Sequence, residues 1–275
     1  MNQRMLKNKI KQASFVPSKK MGQNFLSSNE IKQKIIKSAN VLETDYILEI
    51  GPGYGAITEH LIPKAKKVLA IELDKRLFDH LKTNFKFDNF SVINNDVLKV
   101  DLDQLLTENE FDNVKVVANL PYSISSKIVL KLIKSKKIKA SYIMVQKEMA
   151  ERIAPKINTK GYNAFSVLVQ LFADTKMLFK VPNYHFVPAP KVESAVIEIV
   201  NKDSIINFDI IKIEKFLRIC FLNRRKKLSN NLLTAYSKDK VIALFNKFEL
   251  DPNIRAENIS GSLYVEMYKF LSQEM

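Results

Sequence analysis

The sequence predicts an α/β protein with a doubly wound, mostly parallel sheet and a small all-α domain after it. Short apolar runs rich in β-branched residues alternate with amphipathic helical stretches as far as about residue 200, which is the rhythm of parallel βαβ units. After Asn201 the pattern changes to helices only. We therefore expect three parts: a basic mobile arm at 1–21, a main domain at 22–203 and a helical domain at 204–275.

The predicted elements follow one another in regular order. The predicted strands are 46–50, 68–72, 91–94, 114–118 and 141–146, with further β-rich runs at 177–181 and 194–200. The predicted helices are 29–40, a short one ending near residue 61, 75–85, 125–134, 163–172, 210–222, 226–235, 238–248 and 263–272. We expect the last two β-rich runs to end the sheet antiparallel, joined by a Pro-rich turn at 186–190.

The chain is strongly basic, with 44 Lys and Arg against 29 Asp and Glu and a formal net charge of +15. A charge of this size favours a polyanionic partner, nucleic acid above all, although a generally basic solvated surface is the alternative. Two blocks concentrate the charge: six Lys and Arg without an acid before residue 29, and Arg224-Arg225-Lys226-Lys227. Clustering of this kind favours a nucleic-acid partner.

The cysteine and histidine content narrows the class of protein further. The single cysteine, Cys220, excludes an intramolecular disulfide and favours a reducing compartment. The three histidines lack the spacing of a metal site, so no metal is expected. No apolar run approaches the length of a membrane span, and the N-terminus lacks a hydrophobic signal region. We therefore expect a cytoplasmic protein without membrane association.

Carboxylates follow successive strands at the edge where open α/β sheets bind ligands. The run Gly51-Pro52-Gly53-Tyr54-Gly55 after the first strand lets backbone N–H groups approach a ligand closely. Glu72 ends the next strand and suits both ribose hydroxyls, while Asp96 follows the third strand and suits an adenine amine. Glu49 could receive a cationic amine. This pattern favours a nucleoside cofactor, and S-adenosylmethionine fits better than a nicotinamide because the fourth strand offers no obvious proton relay.

The tetrapeptide Asn119-Leu120-Pro121-Tyr122 ends the fourth strand. Pro121 pushes Leu120 towards an extended conformation, so its carbonyl can point into the cleft beside the Asn119 side-chain oxygen. Two acceptors on the hydrogens of an exocyclic amine favour the pyramidal nitrogen, whose lone pair is free to attack. The tetrapeptide alone is equally compatible with a strand end followed by a simple turn.

Eight segments together carry a family resemblance. They are 22–26 (GQNFL), 49–55 (EIGPGYG), 72–74 (ELD), 95–96 (ND), 119–122 (NLPY), 146–148 (QKE), 186–194 (FVPAPKVES) and 221–232 (FLNRRKKLSNNL). In this order they resemble the rRNA adenine N6,N6-dimethyltransferases, most of all the small-subunit (16S rRNA) branch. The resemblance covers nearly the whole chain. It implies a Rossmann-like class I S-adenosylmethionine-dependent methyltransferase domain at 22–203 and an RNA-docking domain at 204–275.

The resemblance also implies a reaction and a set of site residues. The reaction is dimethylation of two adjacent adenosines in the 3′-terminal hairpin loop of 16S rRNA, by a monomer acting on the immature 30S subunit during its biogenesis. The residues expected to bind the cofactor are Gln23, Asn24, Leu26, Glu49, Gly51, Gly53, Glu72, Asp96 and Asn119. Those expected to hold the target base are Asn119, Leu120, Pro121 and Tyr122, with Phe186 as a second stacking surface. Those expected to bind RNA are Arg224, Arg225, Lys226 and Lys227.

Two other functions stay open at this point. Macrolide-resistance methyltransferases act on one adenosine of 23S rRNA with the same motifs, but Val187-Pro188-Ala189-Pro190 stands where that branch tends to carry His-Pro-Lys-Pro. The second alternative is a non-catalytic nucleic-acid-binding factor on the same fold. Intact Glu72, Asp96 and Asn119 argue against it.

Overall fold

The computed structural model describes residues 23–155, 157–159, 161–202 and 210–273. The predicted arm at 1–21 and Gly22 of the first motif lie outside the described residues. The chain forms two compact units, one ending at Ala150 and resuming over Thr175–Asn201, the other made of Glu151–Asp174 and Lys202–Met275. The domain boundaries drawn from the sequence stay predictions.

The first unit is built on a seven-stranded sheet. The strands of the chain are Phe25–Leu26 (β1), Tyr46–Ile50 (β2), Lys67–Glu72 (β3), Phe90–Asn94 (β4), Val114–Asn119 (β5), Ile138–Gln146 (β6), Ala173–Val181 (β7), Phe186–Val187 (β8) and Ser194–Asn201 (β9). The sheet order is β4-β3-β2-β5-β6-β9-β7, with parallel pairing from β4 to β6 and antiparallel pairing of β9 with β6. The predicted doubly wound sheet with an antiparallel ending is confirmed.

Helices connect these strands and make up the second unit. They are Asn29–Ser38 (α1), Thr58–Leu61 (α2), Lys75–Asn84 (α3), Leu102–Glu108 (α4), Ser125–Lys134 (α5), Lys147–Ile153 (α6), Ala164–Phe172 (α7), Ile210–Cys220 (α8), Leu228–Leu232 (α9), Lys238–Lys247 (α10) and Gly261–Gln273 (α11). The helix α4, which is only seven residues long, was not predicted from the sequence. Asp101 gives a signal for α4, because its side chain caps the helix by accepting from the Gln104 N–H.

The helix α1 shows how the sequence builds the main core. Ser28 caps the helix through its hydroxyl, which accepts from the Ile31 N–H at 3.4 Å. Ile31, Ile35 and Ile36 follow at helical spacing and pack into a core cluster with residues of β2 and β5. Successive residues of β2 and β5, which point to opposite faces of the sheet, are mostly buried, so both faces are covered, and this explains the nearly continuous apolar sequence of these strands.

The segment predicted as a Pro-rich turn is partly a strand, which corrects the expectation for 186–190. Phe186 and Val187 form β8 and pair antiparallel with β1, in the register Leu26↔Phe186 and Phe25↔Val187. A strand of two residues has no measurable alternation, and its partner lies about 160 residues away in the sequence. A pattern search along the chain therefore has no means of finding it.

The second unit is held together by buried aromatic side chains with satisfied polar groups. Tyr162 is fully buried, and its hydroxyl donates to the Ile259 carbonyl at 2.8 Å. Asn231 donates from its side chain to the Cys220 carbonyl at 2.7 Å, and Cys220 itself is buried. In the parts of the chain that the structure describes, no helix combines the length and the apolar character needed to cross a membrane.

Candidate active site

A cavity of about 360 Å³ lies at the carboxyl ends of the parallel strands of the first unit. Its size is that of a small-molecule site. All residues predicted to bind the cofactor line it: Gln23, Asn24, Leu26, Glu49, Gly51, Gly53, Glu72, Asp96 and Asn119. The rest of the tetrapeptide, Leu120, Pro121 and Tyr122, lines it as well. The structure thus brings together side chains that the sequence places up to about 100 residues apart.

The loop after β2 requires glycine. Gly51 and Gly53 have φ of +66° and +60°, in the left-handed region. A Cβ on Gly53 would lie 3.1 Å from the Phe25 ring, so a side chain there would press on the segment that closes the cavity. The Gly53 N–H donates to the Glu72 Oε2 at 3.1 Å. This loop therefore fixes the carboxylate at the end of β3.

Glu72 is a buried carboxylate held by two backbone amides. Oε2 accepts from the Gly53 N–H, and Oε1 accepts from the Asp74 N–H at 2.9 Å. Burial raises its pKa, and the two N–H groups act in the opposite direction. Each carboxylate oxygen has two acceptor sites, so one on each oxygen is left for a further donor. A pair of neighbouring hydroxyls, as in a ribose, matches this arrangement.

Further hydrogen bonds fix the segment 23–26 and the end of β4. The Gln23 Nε2 donates to the Asp74 Oδ2 at 3.0 Å, which ties the segment to the loop after β3. The Arg76 guanidinium beside Asp74 lowers the pKa of that carboxyl, which thus remains a carboxylate. Asp96 accepts from the Leu98 N–H at 2.9 Å through Oδ1. Its carboxylate is held on the cavity wall in this way.

Among the acids of the site, Glu49 has the pKa that departs most from its usual value. Its side chain is 1% exposed, and the Thr58 hydroxyl donates to its Oε2 at 2.6 Å. Burial, with a smaller contribution from the neighbouring Glu72, raises the pKa of Glu49 from its usual 4.5 to about 8. The carboxyl is therefore mostly neutral at pH 7 in this structure. A cation placed beside it would favour the carboxylate.

We expect this buried carboxyl to make stability depend on pH. Because the folded state binds the Glu49 proton more tightly than the unfolded state, its contribution is full below about pH 4.5 and is lost as the pH rises to about 8. The slope is at most about 1.4 kcal/mol per pH unit. Glu49→Gln keeps a neutral side chain and should flatten the dependence, measured by urea unfolding at pH 5.5 and 8. Equal slopes in both proteins would contradict the assignment.

Asn119 presents an unsatisfied acceptor in the cavity wall. Its Nδ2 donates to the Asn24 backbone carbonyl at 3.1 Å, which orients the amide. Its Oδ1 is buried and receives no hydrogen bond from any residue that the structure describes. Leaving a buried acceptor unpaired costs about 1–3 kcal/mol, so such an atom is a strong candidate for binding a ligand donor.

Tyr122 brings an aromatic ring to the same wall. It opens a 3-10 turn at Tyr122–Ile124, directly after Pro121. Its hydroxyl forms a 2.6 Å hydrogen bond with the Ser194 hydroxyl, and burial raises the pKa of the phenol. Ser194 is fully buried at the start of β9. The sequence analysis quoted Ser194 only as part of a motif, and the contact shows that it positions the Tyr122 ring.

Phe186 and the basic block at 224–227 are not among the described residues that line the cavity. Phe186 is 1% exposed in the core cluster behind Leu26. In the second unit, Arg224 is half-buried and paired with Glu257 at 2.9 Å, whereas Arg225, Lys226 and Lys227 are exposed. Among the described residues, no group of His, Cys, Asp and Glu could hold a metal ion.

The fold and the cavity together define a class I methyltransferase. A dimethyladenosine transferase from Plasmodium falciparum has a similar structure, with a TM-score of 0.79 and 26% identity over 91% of this chain and 98% of its own. The 23S rRNA methyltransferase ErmE shares the fold, with a TM-score of 0.70 and 22% identity over 91% of this chain and 100% of its own.

Sequence comparison narrows the class to a family. The family model for ribosomal RNA adenine dimethylase matches residues 16–273, so the chain belongs to that family. Ribosomal RNA small subunit methyltransferase A of Ureaplasma urealyticum serovar 10 is 59% identical over 99% of both chains. The protein of the same name from Malacoplasma penetrans is 43% identical over 94% of this chain and 93% of its own. The predicted family and class of enzyme are confirmed.

Proposed function

We propose that this chain methylates the N6 amines of two adjacent adenosines in the 3′-terminal hairpin loop of 16S rRNA. The buried, unpaired Oδ1 of Asn119 on the wall of the cavity carries the proposal, because it is an acceptor that awaits a donor such as an exocyclic amine. The small-subunit substrate is supported by the names of the relatives that are 59% and 43% identical. We place the reaction in the immature 30S subunit, in the cytoplasm.

The lining of the cavity fits S-adenosylmethionine, which supplies an electrophilic methyl group when bound. Glu72 would accept from both ribose hydroxyls, since each of its oxygens has a second acceptor site beside the one that a backbone amide uses. Asp96 would accept from the adenine amine. Glu49 would meet the cationic amine and lose its proton in doing so, because a nearby positive charge favours the carboxylate.

The target base would be held by the tetrapeptide at the end of β5. The Asn119 Oδ1 and the Leu120 carbonyl would accept the two amine hydrogens, so that the nitrogen lone pair leaves the ring conjugation and becomes nucleophilic. Tyr122, fixed by Ser194, would stack on the extruded base. Stacking contributes about 1–3 kcal/mol per base and offsets part of the cost of unstacking. A stacking role for Phe186 would require its ring to leave the core.

The basic block would dock the RNA through phosphate contacts, which position the protein rather than read sequence. Arg225, Lys226 and Lys227 are its exposed members, while Arg224 is engaged by Glu257. The chain would act as a monomer with this surface turned to the 30S subunit.

A matched pair of variants tests the docking surface. We expect Arg225→Ala to weaken 30S binding and to lower the slope of log K against log salt by about 0.7–0.9, as for one lost phosphate contact. Arg224→Ala removes the partner of Glu257 and should lower stability by about 0.2–1 kcal/mol. Filter binding at several salt concentrations and urea unfolding measure the two effects. An unchanged slope for Arg225→Ala would mean that the RNA docks on another part of the protein.

The direct test is transfer of labelled methyl from S-adenosylmethionine. The substrates are 30S subunits that lack the modification and, in parallel, protein-free 23S rRNA. Recovery of label in 16S rRNA as N6,N6-dimethyladenosine is the expected result. Label only in 23S rRNA would assign the chain to the macrolide-resistance type of activity. No label in either substrate would favour a non-catalytic RNA-binding role.

A further inference from the structure

We propose that the segment Asn183–Glu193, called the strap below, is a contact surface for the RNA nucleotides that flank the target adenosine. Tyr184 would stack on a neighbouring base, and Lys191 would contact a phosphate. This inference rests on the proposed function and adds to it a part of the substrate that lies outside the cavity.

Both ends of the strap are anchored to residues of the cavity wall. Near its start, the backbone N–H and the hydroxyl of Ser27 both donate to the His185 carbonyl, each at 2.8 Å. Two residues further on, Val187 pairs with Phe25, which lines the cavity. At the other end, Ser194 follows the strap directly and holds Tyr122. The strap is therefore tied near both of its ends to residues that line the cavity, Phe25 and Tyr122, while its own residues lie outside the lining.

The end of the strap is also fixed to the sheet. The Lys147 N–H donates to the Glu193 carbonyl, and the Lys147 ammonium pairs with the Glu193 carboxylate, both at 3.0 Å. Lys147 directly follows Gln146, the last residue of β6, so both contacts hold the end of the strap at the edge of the sheet.

The sheet order shows which half of the cavity the strap borders. The candidate cofactor residues follow β2, β3 and β4, whereas β6 and β9 lie on the other side of β5. Ser194 stands opposite Gln146, the last residue of β6, and so lies at the same carboxyl edge as Asn119. The end of the strap thus lies on the side proposed for the target base, whereas Val187 in its middle packs against Phe25, Tyr54 and Leu77 on the cofactor side.

The exposed side chains of the strap suit single-stranded RNA. Tyr184 is 65% exposed, and its ring packs on the His185 ring at 4.3 Å, which makes a two-ring platform. Lys191 and Val192 are exposed beyond it, and the one acid of the strap, Glu193, is paired with Lys147. Aromatic stacking next to a cationic side chain is the combination by which proteins hold unpaired nucleotides.

Methyl-transfer kinetics on 30S subunits lacking the modification test the strap. We expect Tyr184→Ala to raise KM for the 30S substrate about 5- to 150-fold, the loss of one stacked base, and to leave the cofactor Kd from calorimetry unchanged. Tyr184→Phe keeps the ring and should stay within about twofold of wild type. Phe87→Ala is the matched control, because Phe87 is a 53% exposed aromatic residue just before β4, at the opposite end of the parallel strands.

A second variant makes the test independent of the aromatic ring. Lys191→Ala should raise KM and lower the salt slope of 30S binding by about one phosphate contact. The inference is overturned if Tyr184→Ala and Lys191→Ala both match Phe87→Ala, or if Tyr184→Phe is as impaired as Tyr184→Ala. The proposed function fails separately, when the wild-type protein transfers no methyl to 16S rRNA.

Discussion

Asn119→Ala is expected to lower kcat for methyl transfer by about 10²- to 10³-fold or more, while 30S binding persists. The change removes the Oδ1 acceptor that would hold the target amine, and with it the bond from Nδ2 to the Asn24 carbonyl. Losses of this size are typical when one group of a pre-organised polar site is removed. Single-turnover transfer of labelled methyl measures the chemical step, and filter binding measures RNA affinity.

The control for this prediction is Asn89→Ala in the same unit. The Asn89 side chain donates to the Ile62 and Ala65 carbonyls and does not belong to the cavity lining. Its replacement removes two hydrogen bonds from the fold without touching the proposed site, so kcat should be retained. If Asn119→Ala lost RNA binding as much as turnover, the role assigned to its oxygen would be wrong.

Gly55→Ala is expected to lower the free energy of unfolding by about 2–5 kcal/mol. The residue has a φ of +80°, which costs an L-residue about 1–2 kcal/mol. A Cβ at this position would also meet the Phe85 ring, with Cε2 at 2.7 Å. Phe85 is partly buried and packs against the core cluster and the Phe90 ring, so displacing its ring would disturb these contacts, and overpacking adds about 1–3 kcal/mol. Urea unfolding followed by circular dichroism measures the loss.

Gly51→Ala separates the cost of the backbone conformation from the cost of overpacking. Gly51 has a similar φ of +66°, but among the described residues the nearest heavy atom to its added Cβ lies at 3.9 Å. This variant should therefore show only the backbone cost of about 1–2 kcal/mol. Equal destabilisation by the two substitutions would mean that Phe85 relaxes freely and that the packing argument is wrong.

The sequence predicted those elements and site residues whose signals are local. The strand β2 and the helix α5 have the bounds expected from their apolar periodicity, since both bury their apolar side chains in the sheet layers. Glu72 and Asp96 line one cavity, as expected, because parallel strands bring their carboxyl ends to one edge of the sheet even when they are far apart along the chain. Asn119 lines the same cavity for the same reason.

What the sequence did not predict depends on contacts between distant residues. The orientation of the Asn119 amide comes from the Asn24 backbone carbonyl, which carries no side-chain signal. The burial of Phe186 follows from the pairing of β8 with β1. Arg224 stands in a basic block, yet its ion pair is with Glu257, 33 residues away. Each contact was decided by tertiary packing, which neither composition nor periodicity encodes.

The acceptor pair at the end of β5 has a consequence for product release. In the proposed function, an unmethylated adenosine amine would donate one hydrogen to the Asn119 Oδ1 and one to the Leu120 carbonyl. After one methyl transfer the amine keeps a single hydrogen, and after two it has none. The number of hydrogen bonds that hold the base would therefore fall with each transfer. The dimethylated base would then leave because its amine has no hydrogen left to donate to either acceptor.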